Sequence, residues 1–437
     1  MADTTIAESA DINARLSPGR TALLGLQHVL AMYAGAVAVP LIVGNAIGLA
    51  RTQVAFLIQA DLFTCGIATL IQSVGIGSGV GIRLPTVLGV TFTAVTPIIS
   101  IGKALGMRAV YGAVIVSGAV VFLLAPFIGR LRRYFPPVVT GSIITTIGVS
   151  LLPVAITWSG GGIGAEDFGA AIHAGLALSV LILVIMLSAK AKGFLGSIAV
   201  LLGLALGTAA AALLGKANLA LVSSERWMSL TIPFWFGFPT FDLAAVFSMT
   251  LVSLVSIVES TGVYLALGEI TNVRIRKSDI AAGLRAEGIA IAIGGIFNSF
   301  PYTSFSQNVG LVKITRIRSR HVTAAAGAIL ILLGLLPKFA AIVACIPSAV
   351  LGGAGIFMFG MVAVAGIETL SRVDSSRMPN QIVMAVSIGI GCGVAIVPGI
   401  FGSIHPSLNL ILSNGIIVGS IAAVLLNAIL NRSEEKE

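Results

Sequence analysis

Apolar segments recur along almost the whole of the 437-residue chain, and short charged or Gly/Pro-containing breaks separate them. A helix needs about 20 apolar residues to cross roughly 30 Å of hydrocarbon. Segments of this length predict 14 membrane spans. They lie near residues 21–44, 52–74, 84–101, 108–128, 137–157, 168–189, 194–215, 244–268, 279–297, 302–315, 322–344, 347–368, 380–397 and 407–430.

A more polar connection that contains Glu225 and Arg226 divides the predicted spans into two groups of seven. Because an odd number of crossings separates their starting points, the two groups must have opposite orientations in the membrane. The pattern therefore predicts an all-α polytopic membrane protein in which the 14 spans form a 7+7 inverted repeat.

Two predicted spans, the third and the tenth, contain polar residues where lipid-facing helices would be apolar. The third carries RLPTVLGVTFTAVTP and the tenth NSFPYTSFSQNVG, and in both a proline precedes short Thr/Ser/Phe alternation. Such alternation suits short β-strands, and two strands paired at mid-membrane would satisfy each other's backbone. We expect Asn298–Ser306 to be extended, Gln307–Thr315 to begin a half-helix, and residues 85–97 to form the matching half.

Discontinuous spans at matching positions of two halves point to a transporter site, because polar segments inside spans usually mark a substrate path. The positive N-terminal end of each half-helix would face the crossing point of the strands. The alternative is a re-entrant loop that has only a packing role.

The composition, with 57% hydrophobic and 10% charged residues, excludes an ordinary soluble domain. The net charge of +9 comes from basic residues that lie singly or in small clusters between apolar segments, which is typical of topology signals and not of a nucleic-acid surface. If both termini are cytoplasmic, clusters such as Arg130, Arg132 and Arg133 fall on the cytoplasmic side. This arrangement satisfies the positive-inside rule and requires an even number of spans.

The cysteines and the short motifs indicate no cofactor and no catalytic centre. Cys65, Cys345 and Cys392 are scattered inside apolar segments, with neither metal-ligand spacing nor a disulfide framework. The chain has no phosphate-binding glycine loop and no Ser/His/Asp pattern. We therefore expect neither an enzyme nor an ATP-driven pump.

Few charged residues lie inside the apolar segments, and these are the candidates for transport chemistry. Glu259 lies near the middle of the eighth span, where a carboxylate is costly, so we favour a function over a structural ion pair. Glu287 is either an interfacial charge paired with Arg285 or a buried proton carrier. Asp61, in the second span, is a further candidate.

Neutral polar and aromatic residues suggest what kind of ligand the site would take. Gln307 offers one amide acceptor and two donors, and Glu259 offers acceptors, which suits a planar ligand with N–H and C=O edges. Phe92 would stack on such a ring, although packing is the default role of a Phe in a span. Gln27 and His28, early in the first span, would hold the polar network of the site together, unless His28 is only a hydrogen-bonded core residue.

The run SQNVGLVKITRIRSR is similar to the signature of the nucleobase/ascorbate transporter family, which has Gln or Glu, then Asn, any residue, Gly, and a Thr five residues after that Gly. The residues that fit are Gln307, Asn308, Gly310 and Thr315. The Gln-His pair of the first span, ESTGVYLALGEIT and FNSFPYTSFSQN also resemble family elements. The resemblance covers nearly the whole chain.

This resemblance implies a core domain of spans one to four and eight to eleven, residues 21–130 and 244–346, and a gate domain of the remaining spans, residues 137–216 and 347–430. It also implies a homodimer in the bacterial cytoplasmic membrane that moves its core domains against its gate domains. The coupling ion would be a proton, and the base would bind between the third, eighth and tenth spans.

Within that family, Gln307 favours a purine over uracil, and the sequences around Glu259 and Gln307 most resemble the xanthine and uric acid branch. Two residues depart from the pattern. Val263 stands where many xanthine carriers have an Asp, so the choice between xanthine and uric acid as the substrate stays open. Glu287 stands where an Asp is often found, which bears on its role as proton carrier.

The hypothesis from the sequence is proton-coupled uptake of xanthine, uric acid or both by alternating access. The residues expected to bind the base are Glu259, Gln307, Phe92, Thr91, Thr93, Ser306 and Asn308. Those expected to support proton coupling are His28, Glu287 and Gln27. The alternative is a sulfate-type anion exchanger or a passive channel of similar architecture, although a buried carboxylate in the site would repel an anion unless it were protonated.

Overall fold

The computed structural model describes residues 11–128, 134–162, 164–218 and 220–431. The predicted basic cluster Arg130, Arg132 and Arg133, and the end of the predicted range 21–130, lie outside these residues. Helices of ten or more residues are numbered in chain order. They are α1 Pro18–Ile47, α2 Arg51–Val74, α3 Val95–Leu105, α4 Met107–Leu124, α5 Pro137–Ser159, α6 Ala171–Lys190, α7 Ala199–Leu213, α8 Leu243–Thr271, α9 Lys277–Ile296, α10 Ser306–Thr315, α11 Arg320–Gly334, α12 Ser348–Leu370, α13 Met378–Ile396 and α14 Gly415–Leu430.

Shorter helices and two strands connect the numbered helices. The short α-helices are Phe194–Ser197, Ala220–Ser224, Pro337–Ala344 and Pro406–Leu412, and 3-10 turns lie at Phe92–Ala94, Ala125–Phe127 and Pro398–Phe401. The strands are β1, Leu88–Val90, and β2, Tyr302–Ser304.

The structure confirms a mostly helical membrane fold. Among the described residues, eight helices are long and apolar enough to cross a bilayer, namely α1, α2, α4 with the turn that follows it, α5, α6, α8, α12 and α13. Further apolar helices are shorter, including α7 and α14. Such a series of apolar helices requires a chain that crosses the membrane several times.

The two strands pair with each other in the middle of the fold. β1 and β2 are antiparallel, with Gly89 opposite Thr303. Two further backbone bonds extend the ladder, from the Thr91 N–H to the Pro301 carbonyl at 2.9 Å and from the Phe305 N–H to the Val87 carbonyl at 3.0 Å. The short β-strands predicted in the third and tenth spans are therefore present.

Side-chain hydroxyls of neighbouring helices accept hydrogen bonds from N–H groups on the outer edges of this small sheet. The Leu88 N–H donates to the Thr69 hydroxyl of α2 at 3.1 Å. On the other edge, the Ser304 N–H donates to the Ser260 hydroxyl of α8 at 3.0 Å. An open sheet edge is not tolerated against lipid, so these side chains let a two-stranded sheet lie inside the bundle.

Several boundaries differ from the sequence predictions, including those of α11 and α10. Residues 322–344, predicted as one span, form α11 and the helix Pro337–Ala344, which meet at an angle of 81°. Pro337 starts the second helix, because it has no N–H to continue the first one. Asn298, predicted as extended, has a left-handed φ of 66° at the end of α9, and α10 begins at Ser306, one residue earlier than expected.

The helices pack in pairs at close glycine contacts. α2 packs on α11 where Gly66 meets Gly327, and α9 packs on α4 where Gly288 meets Gly118. Other extensive contacts join α5 with α12, α6 with α12, and α13 with α5. Small residues let helix backbones approach closely in membranes, where burial of apolar surface does not drive helix association.

Gly66→Ala is expected to destabilise the fold and loosen β1. A Cβ at Gly66 would lie 2.5 Å from the Gly327 carbonyl oxygen, so α2 must move away from α11. We expect a loss of about 1–3 kcal/mol and a lower melting temperature of the purified protein. Gly389→Ala on α13 is the control, because nothing lies within 4 Å of its added Cβ. Equal melting temperatures for the two variants would contradict this packing.

Candidate functional site

A helix or turn begins directly after each strand. The 3-10 turn Phe92–Ala94, which leads into α3, follows β1, and α10 follows β2. The side chains of Ser306 and Gln307, in the first turn of α10, are exposed, whereas Asn308 is fully buried. The first N–H groups of a helix have no partner within it and carry partial positive charge. Ser306 and Gln307 therefore offer side-chain and backbone donors to a ligand at the strand crossing.

Glu259 lies on α8, which contacts both β2 and α10. Its side chain is half-buried, and it forms no hydrogen bond or ion pair with any residue in the described ranges. The next residue, Ser260, lies 3.0 Å from the Thr303 hydroxyl, so α8 is held against the strand at this height. Glu259 and Gln307 thus have no partner among the described side chains, which leaves both available to a ligand.

His28 and Asn308 join the first span to α10, a contact that the sequence did not predict. The Asn308 side-chain amide donates to His28 Nδ1 at 3.0 Å and to the His28 carbonyl at 3.0 Å. Nδ1 accepts in this arrangement, so the ring proton of the neutral imidazole lies on Nε2. Gln27 is half-buried and makes no hydrogen bond to another described residue, so it is not joined to this pair.

Phe92 is half-buried, and its ring meets Phe359 of α12 edge to face, with centroids 5.9 Å apart. Thr91 and Thr93 are buried, and the Thr91 hydroxyl accepts from the Thr93 N–H at 3.2 Å. Because the Thr91 N–H already bonds to Pro301, these two threonines have few donors free. The half-buried ring of Phe92 is thus more accessible than Thr91 and Thr93 on this side of the site.

A buried carboxylate, Glu287, lies behind β2. Its Oε1 accepts from the Tyr264 hydroxyl at 2.6 Å and from the Ser304 hydroxyl at 3.0 Å, and its buried Oε2 has no partner. The Tyr264 hydroxyl also receives a hydrogen bond from the Gln72 side-chain amide. One network thus links α2, α8, α9 and the strand.

This network excludes one interpretation of Glu287 that the sequence left open. Glu287 is fully buried and makes no ion pair within the described ranges, and the Arg285 guanidinium bonds instead to the Gly79 carbonyl at 3.2 Å. Sequence reasoning missed Tyr264 and Gln72. The signal for Tyr264 was its place on α8 five residues after Glu259, but no pattern pointed to Gln72.

The site combines acceptors, donors and an aromatic face with no metal cluster. Within residues 11–128, 134–162, 164–218 and 220–431, no group of three His, Cys, Asp or Glu residues could hold a metal ion. The accessible groups suit a planar polar molecule, and the buried carboxylate behind the strand suits proton binding.

Comparison with known proteins matches the chain to a family of carriers. A family model described as a permease family, Xan_ur_permease, matches residues 19–400. The chain is 49% identical over 413 residues to the xanthine permease of Bacillus subtilis (strain 168), with 94% of each chain covered. It is 50% identical over 406 residues to the uric acid permease PucK of the same strain, covering 93% of this chain and 94% of that protein.

Among solved structures, the transmembrane domain of the cyanobacterial bicarbonate transporter BicA is similar in fold, with a TM-score of 0.63. The comparison covers 94% of this chain and 99% of that chain, at 15% sequence identity. At this identity the likeness concerns the fold alone.

Asn308→Ala is expected to release the first span from α10. The change leaves His28 Nδ1 and the His28 carbonyl without their donor, so we expect a loss of about 1–3 kcal/mol of stability. The measurement is the thermal melting of the purified protein. Ser306→Ala is the control, because Ser306 lies two residues before Asn308 and its side chain is exposed. This variant should melt like the unaltered protein. An unchanged melting temperature for Asn308→Ala would show that this contact does not hold α10 in place.

Proposed function

Because the chain belongs to the nucleobase/ascorbate transporter family, we propose that it carries a purine nucleobase, xanthine or uric acid or both, into the cell. It is a multi-pass membrane transporter and not an enzyme. The observation that carries the proposal is that Glu259 and Gln307 make no hydrogen bond to another described residue and lie on two helices, α8 and α10, that contact each other beside β2. High identity to xanthine and uric acid permeases supports the purine as cargo.

The chemistry of the accessible groups suits an oxidised purine. The Glu259 carboxylate would accept ring N–H groups, and the Gln307 amide would pair with an adjacent C=O and N–H. Backbone N–H groups of Ser306 to Asn308 would donate to a second carbonyl, since the positive end of α10 faces it. Phe92 would cover one face of the ring, and Thr91 and Thr93 would support the wall behind it.

Proton coupling would use the network behind β2. Glu287 has one oxygen without a partner, which is where a proton would be held. Ser304 on the strand and Ser260 beside Glu259 join that network to the substrate side. Loading of the proton would thereby alter the position of the strand and the affinity for the base, while His28 and Asn308 keep α10 in place.

The proposed architecture is the 14-span, 7+7 inverted repeat. The matched packing of α2 on α11 and α9 on α4 supports it, because each of these pairs becomes the other when the halves exchange. The core domain would be residues 21–130 and 244–346, and the gate domain residues 137–216 and 347–430. The contact of Phe92 with Phe359 would then lie between core and gate.

Alternating access would move the core domain past the gate domain and open the site to each side in turn. The chain would act as a homodimer in the bacterial inner membrane, with both termini cytoplasmic and lipid around the gate domain. The alternative of a sulfate-type anion exchanger is disfavoured, because the chain is 49% identical to a xanthine permease but only 15% identical to the bicarbonate transporter BicA.

Glu259→Gln and Gln307→Ala are expected to lower uptake of labelled xanthine and uric acid at least about tenfold, since each removes a hydrogen bond to the base. Glu269→Gln, the same chemical change near the exposed end of α8, is the matched control. Uptake in cells or liposomes is the measurement. Normal uptake by both site variants would contradict this site.

Proton coupling is expected to fail in Glu287→Gln while purine binding survives. The amide keeps an acceptor for Tyr264 and Ser304 but cannot take up and release a proton. We expect exchange of labelled for unlabelled xanthine to continue, and accumulation against a gradient to stop. In the unaltered protein an uncoupler should stop accumulation in the same way. Accumulation that ignores both the uncoupler and a pH gradient would overturn coupling and leave purine transport standing.

A further inference from the structure

A second buried carboxylate, Asp61 on α2, contacts the segment that leads into β2. Its Oδ1 accepts from the Ser299 hydroxyl at 2.7 Å and from the Tyr302 hydroxyl at 3.2 Å. These two hydroxyls are also 2.8 Å from each other, and the Thr64 hydroxyl of α2 bonds to the Tyr302 phenol. α2 therefore holds the segment Ser299–Tyr302 at both of its ends.

The surroundings of Asp61 favour the neutral acid. Asp61 is 1% exposed, and no Lys, Arg or His of the described chain forms an ion pair with it. The titratable groups that face it are the Cys65 thiol and the Tyr302 phenol, and neither carries a positive charge. A buried carboxylate without a cation is strongly disfavoured in its ionised form. The unpartnered oxygen Oδ2 is where the proton would lie.

Asp61 and Glu287 both accept hydrogen bonds from side chains of β2, but the networks to which they belong differ. Tyr302 and Ser304 are two residues apart on β2, so their side chains lie on one face, the first bonded to Asp61 and the second to Glu287. The Glu287 network continues through Tyr264 to Gln72 and reaches α8 beside Glu259. The described side-chain hydrogen bonds of Asp61 end with Ser299, Tyr302 and Thr64, so no relay leads from Asp61 to the substrate side.

We propose that Asp61 is a positioning residue, which stays protonated throughout the transport cycle and fixes the segment Ser299–Tyr302, and with it the start of α10. The expected effect of Asp61 on substrate affinity rests on the proposed function. The claim that Asp61 is protonated does not rest on it, because the protonation state can be measured without transport.

Asp61→Asn tests the protonation state. The amide keeps the Oδ1 acceptor for Ser299 and Tyr302 and carries no charge, so uptake, accumulation and the pH profile of uptake should stay within about threefold of the unaltered protein. In infrared spectra of the purified protein near neutral pH, this variant should lose part of the C=O band of protonated carboxyl groups. An unchanged band, or exchange that continues while accumulation stops, would overturn the proposal.

Asp61→Ala tests positioning. Without the acceptor the segment before α10 loosens, and we expect KM for xanthine and uric acid to rise about tenfold. Ser299→Ala should raise KM in the same direction, and the double variant should be no worse than the more affected single one, because both remove one interaction.

Gln59→Ala is the matched control on the same helix, because Gln59 is buried and bonds to Ser229, away from the strands. It should lower the melting temperature without raising KM. Should Asp61→Ala fail to fold, Asp61→Asn still tests protonation, and Ser299→Ala, which removes the same hydrogen bond, still tests positioning. Should the unaltered protein carry no purine, the infrared and melting measurements still report on Asp61. A normal KM in a folded Asp61→Ala protein would overturn the positioning role.

Discussion

The structure depends on one constraint, that backbone N–H and C=O groups inside a membrane must find partners in the protein. Two spans break into extended segments, and each supplies backbone partners for the other. β1 and β2 therefore pair, and hydroxyls of Thr69 and Ser260 take the donors on their outer edges. Because the strands must meet, the helix ends that follow them must meet as well.

That meeting point is the proposed binding site. Helix N-termini supply directed donors there, while Glu259 and Gln307 make no hydrogen bond to another described residue. The neighbouring polar residues bond to the protein instead. Asn308 donates to His28 and so holds α10, and the Thr91 hydroxyl accepts from the Thr93 N–H in the turn after β1. A fixed frame with a few free polar groups gives specificity for a small planar ligand.

Two carboxylates, Asp61 and Glu287, lie along one face of β2. Their different hydrogen-bond networks suggest different roles. Glu287 is tied through Ser304, Tyr264 and Ser260 to the helix that bears Glu259, so a change in its protonation can reach the site. Among the described residues, the side-chain hydrogen bonds of Asp61 go to Ser299, before the strand, and to Tyr302, its first residue. Burial makes both carboxylates costly to ionise. In the proposed mechanism, Glu287 couples a proton to the cargo because its hydrogen bonds reach the helix that bears Glu259.

The sequence by itself determined the membrane class, the broken third and tenth spans and the strands in them, because hydrophobic length and polar interruption are local properties of a chain. It did not predict the contact between His28 and Asn308, which joins residues far apart in the chain. It left Glu287 open between surface and interior, missed Gln72 and Tyr264, and placed a single span where α11 and Pro337–Ala344 bend by 81°. Only the tertiary structure decided these points. A hydrogen bond between residues far apart in the chain, such as that from Gln72 to Tyr264, depends on how helices pack, and no local pattern records it.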